Sequence, residues 1–173
     1  MVYVGTSIDG FLAKKDGNID WLTRFESHEI QKSYEEFIRG IDAIVIGRNT
    51  FETVLSFPSW PYDRDVFVLS TNANLIPDSL KGKATVLSMR PRELLAHLST
   101  LGFSNIYVDG GKVIQSFLRE DCIDELTITR VPVLIGNGIP LFGDLDIDLQ
   151  FNHIQSDVYS NGLVKSHYER TRV

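Results

Sequence analysis

Ile41-Asp-Ala-Ile-Val-Ile-Gly47, followed at once by Arg48-Asn49-Thr50-Phe51, decides the fold class of this 173-residue chain. Past Asp42 the segment is an unbroken apolar, largely β-branched run. It reads as a strand covered on both faces rather than one alternating between core and solvent. Gly47 lets the backbone turn, and the residues after it open a helix. A doubly covered strand continued by a helix belongs to a largely parallel sheet in an α/β protein.

Working outward, Val2–Ser7, Asp65–Ser70, Ala84–Leu87 and Asn105–Val108 repeat the signature. Each is rich in Val, Ile or aromatic residues and closes near Gly, Ser or Asp. Ile30, Tyr34, Phe37 and Ile38 fall on one helical stripe, and Leu94, Leu95, Leu98 and Leu101 on another. Pro91 near the start and Gly102 just past the end punctuate the second of these. A further helix is predicted from Gly111, with Val113, Ile114, Phe117 and Leu118 turned inward. The last third changes character. Asp124–Val133 alternates, Gly136-Asn137-Gly138 marks a loop, and Ser160-Asn161-Gly162 joins two strands, Phe151–Tyr159 and Leu163–Arg170, as a hairpin. The expected architecture is therefore a central, mostly parallel mixed sheet with helices on both faces and an antiparallel C-terminal hairpin at its edge. No repeat, low-complexity segment or linker interrupts the pattern, so residues 1–173 read as one domain.

Composition narrows the function classes. Hydrophobic residues make up 43% and charged residues 23%, which places the chain among globular proteins rather than disordered ones. A net charge of -6 repels a phosphate backbone and argues against nucleic acid as the main partner. It leaves room for an anionic cofactor, because a few local cations and backbone N–H groups suffice to hold a phosphate. The single cysteine, Cys122, excludes an intramolecular disulfide and reads as an inert, partly buried thiol. Neither a basic N-terminal region nor a long apolar run is present, so no signal peptide or membrane span is expected and the cytoplasm is the expected location.

Three segments sit where a strand gives way to a loop or helix, the end of an open α/β sheet at which ligands bind. After the first of them, Gly47, the helix start offers free N–H groups to an anion, Arg48 a forked charge and Thr50 a hydroxyl. Ser70-Thr71-Asn72 supplies two hydroxyls and an amide that can ring a phosphate or ribose and are equally common as turn formers. Gly110-Gly111-Lys112-Val113-Ile114 allows close backbone approach at another helix start. It is not the G-x-G-x-x-G fingerprint of a Rossmann site.

Together with Ser7-Ile-Asp9-Gly10 after the first strand, these segments resemble the dihydrofolate reductase superfamily in order and spacing. The likeness is closer to one branch, the reductase domains of riboflavin biosynthesis, which occur as the C-terminal part of bifunctional deaminase-reductases. Ser7-Ile-Asp-Gly-Phe-Leu-Ala13, Trp21 and Pro132-Val-Leu-Ile-Gly-Asn-Gly-Ile-Pro-Leu-Phe142 carry that closer match, and the likeness runs from Val2 to Arg170. The resemblance implies a dihydrofolate-reductase-like three-layer fold and an NADPH cofactor. It assigns Arg48, Thr50, Ser70 and Thr71 to the adenosine 2′-phosphate and neighbouring phosphates. Gly47, with Gly110, Gly111, Lys112, Val113 and Ile114, goes to the phosphate-holding turns, where the glycine pair often has a cis bond in the family. Val4, Gly5 and Leu12 are assigned to the nicotinamide. Ser7, Asp9, Trp21, Gln31, Tyr34 and Phe51 are implied around a small heterocyclic substrate, and a homodimer is implied as well.

At one position the chain departs from true dihydrofolate reductases. Those enzymes carry a carboxylate on the first helix, and counting back without gaps from Gly47 puts that position at Gln31. An amide hydrogen-bonds but cannot act as a general acid. Glu35, the nearest acid, lies about 115° from the centre of the helix's apolar stripe and so should face outward or sit at the rim. The reading leans to the riboflavin-type reaction, reduction of 5-amino-6-(5-phosphoribosylamino)uracil. Dihydrofolate reduction is one alternative, and a non-catalytic nucleotide- or pterin-binding module is another. The phosphate of the riboflavin-type substrate would need cations nearby; Lys14, Lys15 and Arg24 in the first loop are the candidates, and each reads more readily as solvated surface. Asp144, Asp146 and Asp148 fail the EF-hand pattern, and the four histidines show no ligand spacing, so no metal is expected.

Overall fold

The computed structural model describes residues 1–72 and 74–172. In chain order its elements are β1 (Val2–Ser7), β2 (Phe11–Ala13), α1 (Asp20–Thr23), α2 (His28–Arg39), β3 (Ala43–Gly47) and α3 (Arg48–Leu55). Then come β4 (Asp65–Leu69), a 3-10 turn (Asp78–Leu80), β5 (Ala84–Leu87), α4 (Pro91–Thr100), β6 (Ile106–Asp109) and α5 (Gly111–Arg119). The chain closes with β7 (Glu125–Val131), β8 (Ile139–Pro140), β9 (Phe151–Val158) and β10 (Val164–Arg170). They group into two compact units, Gly40–Cys122 and Met1–Arg39 with Ile123–Val173.

The unit Gly40–Cys122 is built on β3. Ala43, Ile44, Val45 and Ile46 are all 0% exposed, as an unbroken apolar run requires. β3 pairs in parallel with β4 on one side and β6 on the other, and β5 extends the sheet to give the order β5-β4-β3-β6. From β3 the chain crosses through α3 to β4, and from β5 it returns through α4 to the far side of β3. Parallel crossovers are right-handed, so these two opposite steps place α3 and α4 on opposite faces. Phe51 of α3, Leu94 and Leu98 of α4, and Ile114 and Phe117 of α5 are fully buried and close the core.

The other unit holds a mixed sheet of order β1-β7-β10-β9. β1 and β7 are parallel; β10 is antiparallel to both β7 and β9. The expected hairpin is present, with Gly162 at φ +85° in its turn. β7 was expected to alternate, yet four consecutive residues, Leu126 to Thr129, are buried. Its interior position between β1 and β10 covers it more fully than its Thr-rich sequence suggests. β9 shows the reverse, being mostly exposed along the sheet edge. α2 packs one half-buried side onto this unit: the Tyr3 ring of β1 stacks on Phe37 with centroids 4.7 Å apart. A two-stranded ladder of β2 and β8 ties the first loop to residues 139–140.

Predicted element bounds differ from those observed by one or two residues. The expected strand 41–47 begins at Ala43 because Asp42 accepts the backbone N–H groups of Ser104 and Asn105, at 2.9 and 2.8 Å. α1, β2 and β8 are too short for either helical or strand periodicity to register. The Asp144–Asp148 stretch is an exposed loop.

Phe117 fills the interior with 0% exposure. Phe117→Ala is expected to lower the unfolding free energy by about 3–5 kcal/mol, read from urea denaturation. A loss below about 1 kcal/mol would contradict the packing described.

Candidate active site

The strand order of the Gly40–Cys122 unit creates a switch point. β3 sends its chain one way to β4, whereas β6 arrives from the other side, so the loops after β3 and β6 diverge and leave a crevice between them. Ile46 and Asp109 are paired in register, which sets Gly47 and Gly110 side by side at the strand ends. Each glycine immediately precedes a helix, α3 and α5 respectively. Neither helix has a side-chain cap, whereas at the start of α4 the Glu93 carboxylate accepts the Arg90 backbone N–H at 3.4 Å. Two sets of first-turn N–H groups therefore converge with no N-cap side chain accepting from them among the described residues, the arrangement that binds an anion.

Close packing explains the glycines. Gly110 has φ +93°, and a Cβ there would lie 2.5 Å from Thr50 Oγ1. A Cβ on Gly47 would sit 3.0 Å from Val113 Cγ2. Thus Gly47, Thr50, Gly110 and Val113 are brought together, with Gly111 and Ile114 buried behind them and Lys112 exposed at the rim. The Gly110–Gly111 bond is trans, since no cis peptide is present among the described residues, which corrects the expectation of a cis bond. The Asp109 Oδ1 accepts the Gly110 N–H at 2.7 Å. Burial pushes this carboxyl above its usual range, opposed by that N–H and by the Tyr107 hydroxyl.

Arg48 is half-exposed and loosely tied to Glu52, with Nε–Oε1 at 3.6 Å. An exposed i,i+4 pair of this kind is weak and leaves the guanidinium able to turn to a ligand. Ser70 and Thr71 line a cavity of about 630 Å³ together with Asn74, Lys81, Thr85 and Ser88. Ser70 Oγ also accepts the Asn72 N–H at 3.1 Å, the turn-forming role foreseen for it. Lys81 and Ser88 escaped the sequence reading. Ser88 follows β5 as Ser70 follows β4, so the strand-end rule could have found it; Lys81 carries no such signal.

The second unit presents the remaining candidates. Val4 is buried in β1, and Gly5 beside it admits Leu22, whose Cδ1 would lie 2.8 Å from a Cβ there. Leu12 is half-buried in β2. Ser7 is fully buried, and its Oγ accepts the Phe11 N–H at 3.0 Å. Asp9 is exposed and acts as a clasp: its carboxylate accepts the N–H groups of Ile135 and Gly136 at 3.3 and 2.7 Å. The Ser7 hydroxyl first, and then those backbone groups, hold the Asp9 carboxyl below its usual 3.8. Tyr34 packs edge-on to Tyr3, centroids 5.9 Å apart. Gln31 is exposed and donates to Glu35 Oε1 at 3.1 Å. Trp21 packs with Val131 and Leu163 while its Nε1–H lacks an acceptor among the described residues, a cost of about 1–3 kcal/mol for a buried donor. Phe51 belongs to the Gly40–Cys122 unit, where it is fully buried against Trp60, centroids 5.9 Å apart. Cys122 is half-buried, its thiol 3.4 Å from the Glu120 carbonyl oxygen.

Among the described residues no cluster of His, Cys, Asp and Glu is arranged to hold a metal, and no helix is long and apolar enough to cross a membrane. The family model of the RibD C-terminal domain matches residues 1–165. The chain therefore belongs to the RibD C-terminal domain family, a reductase family of the riboflavin pathway, and its α/β fold is dihydrofolate-reductase-like. It is 38% identical over 149 residues to the uncharacterized protein YwjB of Bacillus subtilis, covering 84% of this chain and 83% of that one. A crystal structure from Shewanella sp. PV-4, provisionally assigned to riboflavin biosynthesis, is 40% identical with a TM-score of 0.93, covering 99% and 98% of the two chains. Dihydrofolate reductase from Enterococcus faecalis, solved with NADP(H), shares the fold with a TM-score of 0.71 at 18% identity, over 99% and 95% of the chains.

Two measurements check this geometry. Gly102 shares the positive φ of Gly110, at +91°, but a Cβ there meets nothing within 4 Å. Gly110→Ala should therefore destabilise more than Gly102→Ala, by about 1–3 kcal/mol in urea denaturation; equal losses would remove the tight contact with Thr50. For Asp9, a lowered native pKa means its contribution is present above the unfolded carboxylate value and is lost as pH falls through the native one. The stability gap between the wild type and Asp9→Asn should be constant near neutrality and shrink below about pH 4. A gap that widens on acidification would reverse the assignment.

Proposed function

We propose that the chain is an NADPH-dependent reductase of a small heterocyclic substrate, most like the riboflavin-pathway reduction of 5-amino-6-(5-phosphoribosylamino)uracil. The observation that carries this reading is the pair of uncapped helix N-termini set side by side at the switch point by Gly47 and Gly110. Their N–H groups suit a pyrophosphate, and the glycines leave the space that a Cβ would take. Gly110, Gly111 and the first turn of α5 would hold the pyrophosphate. Arg48, Thr50, Ser70 and Thr71 would hold the 2′-phosphate and its neighbours, the cavity beside Ser70 and Thr71 offering hydroxyls, while its Lys81 is paired with Asp78 of the same wall at 2.5 Å. Val4, Gly5 and Leu12 would flank the nicotinamide. When bound, NADPH supplies the hydride.

The protein's part is to bind and orient. Gln31 can donate or accept a hydrogen bond at the substrate but cannot deliver a proton as an acid. That suits reduction at a carbonyl or imine carbon better than a reaction needing a carboxyl beside a pterin. Membership of the riboflavin-pathway family supports the same choice.

Titration with NADPH and NADH, followed by nicotinamide fluorescence, tests the cofactor. Arg48→Ala should weaken NADPH at least tenfold, about 1.4 kcal/mol, and NADH little. Equal weakening would remove its 2′-phosphate role, and no binding of either nucleotide below millimolar would overturn the cofactor reading. NADPH oxidation on adding the ribosylamino-pyrimidine, and not on adding dihydrofolate, is the expected turnover result. Binding without oxidation of NADPH by either compound would mark a nucleotide-binding module.

A further inference from the structure

Reduction at a carbonyl or imine carbon consumes a proton as well as a hydride. Hydride addition sends the C=O or C=N electron pair onto the oxygen or nitrogen, and that atom must then be protonated. Gln31 cannot supply the proton, and Glu35, which accepts from it, is exposed. Two cavities lie within the unit formed by Met1–Arg39 and Ile123–Val173. The larger, about 570 Å³, is walled by Lys14, Trp21, Arg24 and the segment Val133–Ile135, and none of the described residues lining it carries a hydroxyl. The smaller, about 280 Å³, is lined in part by Tyr3, Ser33, Thr127, Asp157, Lys165 and His167. Tyr3 directly precedes Val4 and Gly5, the β1 residues proposed to flank the nicotinamide.

The hydroxyls of Tyr3 and Ser33 are hydrogen-bonded at 2.9 Å, and Lys165 Nζ donates to Ser33 Oγ at 2.9 Å. Asp157 Oδ2 holds the same ammonium at 3.0 Å and so fixes its place. With Ser33 Oγ accepting from Lys165, the Ser33 O–H can donate to the Tyr3 oxygen. A phenol placed this way releases its proton while a hydroxyl and a positive charge stabilise the oxygen left behind. Burial, the largest cause, holds the Tyr3 phenol above its ordinary 10.0, against the Ser33 bond and the Lys165 charge. Tyr3 therefore keeps its proton near neutrality. An alkoxide or an amine anion is more basic than a phenolate, so transfer runs toward the product. His167 lines the same cavity but is held by the protein: Nδ1 lies 3.0 Å from Thr127 Oγ1, and Nε2 3.8 Å from both Glu125 and Glu169.

We propose that Tyr3 is a catalytic residue, its hydroxyl donating the proton of the reduction, with Ser33 and Lys165 as positioning residues. This role rests on the reductase reading. The substrate carbon gains the hydride, the heteroatom forms an O–H or N–H bond, and the Tyr3 O–H bond breaks. NADPH is oxidised and the substrate reduced, and the phenolate regains a proton from water. The cavity is just below the usual size of a whole small-molecule pocket, and it suits the reacting end of a substrate.

The test is steady-state NADPH oxidation with the ribosylamino-pyrimidine, run beside a titration of NADPH binding. Tyr3→Phe keeps the ring that stacks on Phe37 and removes only the hydroxyl. It should lower kcat at least tenfold, while KM and NADPH affinity change less than twofold. Ser33→Ala and Lys165→Gln should each lower kcat at least threefold in the wild type and have no further effect in Tyr3→Phe. Groups that only support the fold would slow both backgrounds alike. Ser33→Ala leaves the Tyr3 ring in place and decides alone if Tyr3→Phe does not fold: a lower kcat at constant KM supports the role, and an unchanged kcat overturns it. The role of Tyr3 is overturned by itself if the wild type turns over and Tyr3→Phe matches it, or if the other two variants slow Tyr3→Phe as much as the wild type. If the wild type oxidises no NADPH with this substrate, the reductase reading fails and the proton donor falls with it.

Discussion

The parallel pairing of Ile46 with Asp109 is the constraint on which the Gly40–Cys122 unit depends. It returns the chain to the unused side of β3 after the excursion through β4 and β5, and only that return makes a switch point. Had β6 extended the sheet beyond β5, α5 would open far from α3, and Gly110 would face no Thr50. One register therefore fixes both the topology and the convergence of two helix termini. The glycines at those ends let the backbones approach within the distance that a methyl group would occupy.

That arrangement would reconcile an acidic chain with the anionic cofactor proposed for it. The crevice offers backbone N–H groups rather than a cluster of side-chain charges, so it needs no basic patch in a protein of net charge -6. Backbone donors also suffer little loss of freedom when they bind, because the helices already hold them. Arg48 adds an exposed charge at the edge, where on the proposed reading discrimination between NADPH and NADH would call for one group rather than many.

Much of this is legible in the residues. The run after Asp42 can only be a covered strand, and Gly110-Gly111 between a strand and a helix announces a close approach. Partners distant in sequence are less legible. Nothing near Asp9 shows that its carboxylate will clasp the backbone of residues 135–136, since that depends on where the later loop arrives. Asp124–Val133 misled for a related reason: its alternation describes the side chains, while its burial comes from having β1 and β10 on either flank. Lys14 and Arg24 read as solvated surface, because spacing along the chain says nothing about a cavity that Trp21 and Val133–Ile135 help to wall.

The parallel ladder between β1 and β7, in which Val2 sits against Leu126, has a further consequence for the order of assembly. The unit Gly40–Cys122 is one uninterrupted stretch whose contacts can all form before the last third of the chain emerges from the ribosome. β1 must wait, unpaired along its β7 edge, until residue 126 has been made. Loop closure over so long a span is slow, so this strand spends synthesis as an exposed apolar segment. A strand made early is thus among the last to be secured, and that interval is where a chaperone or a misplaced neighbour would find the chain most receptive.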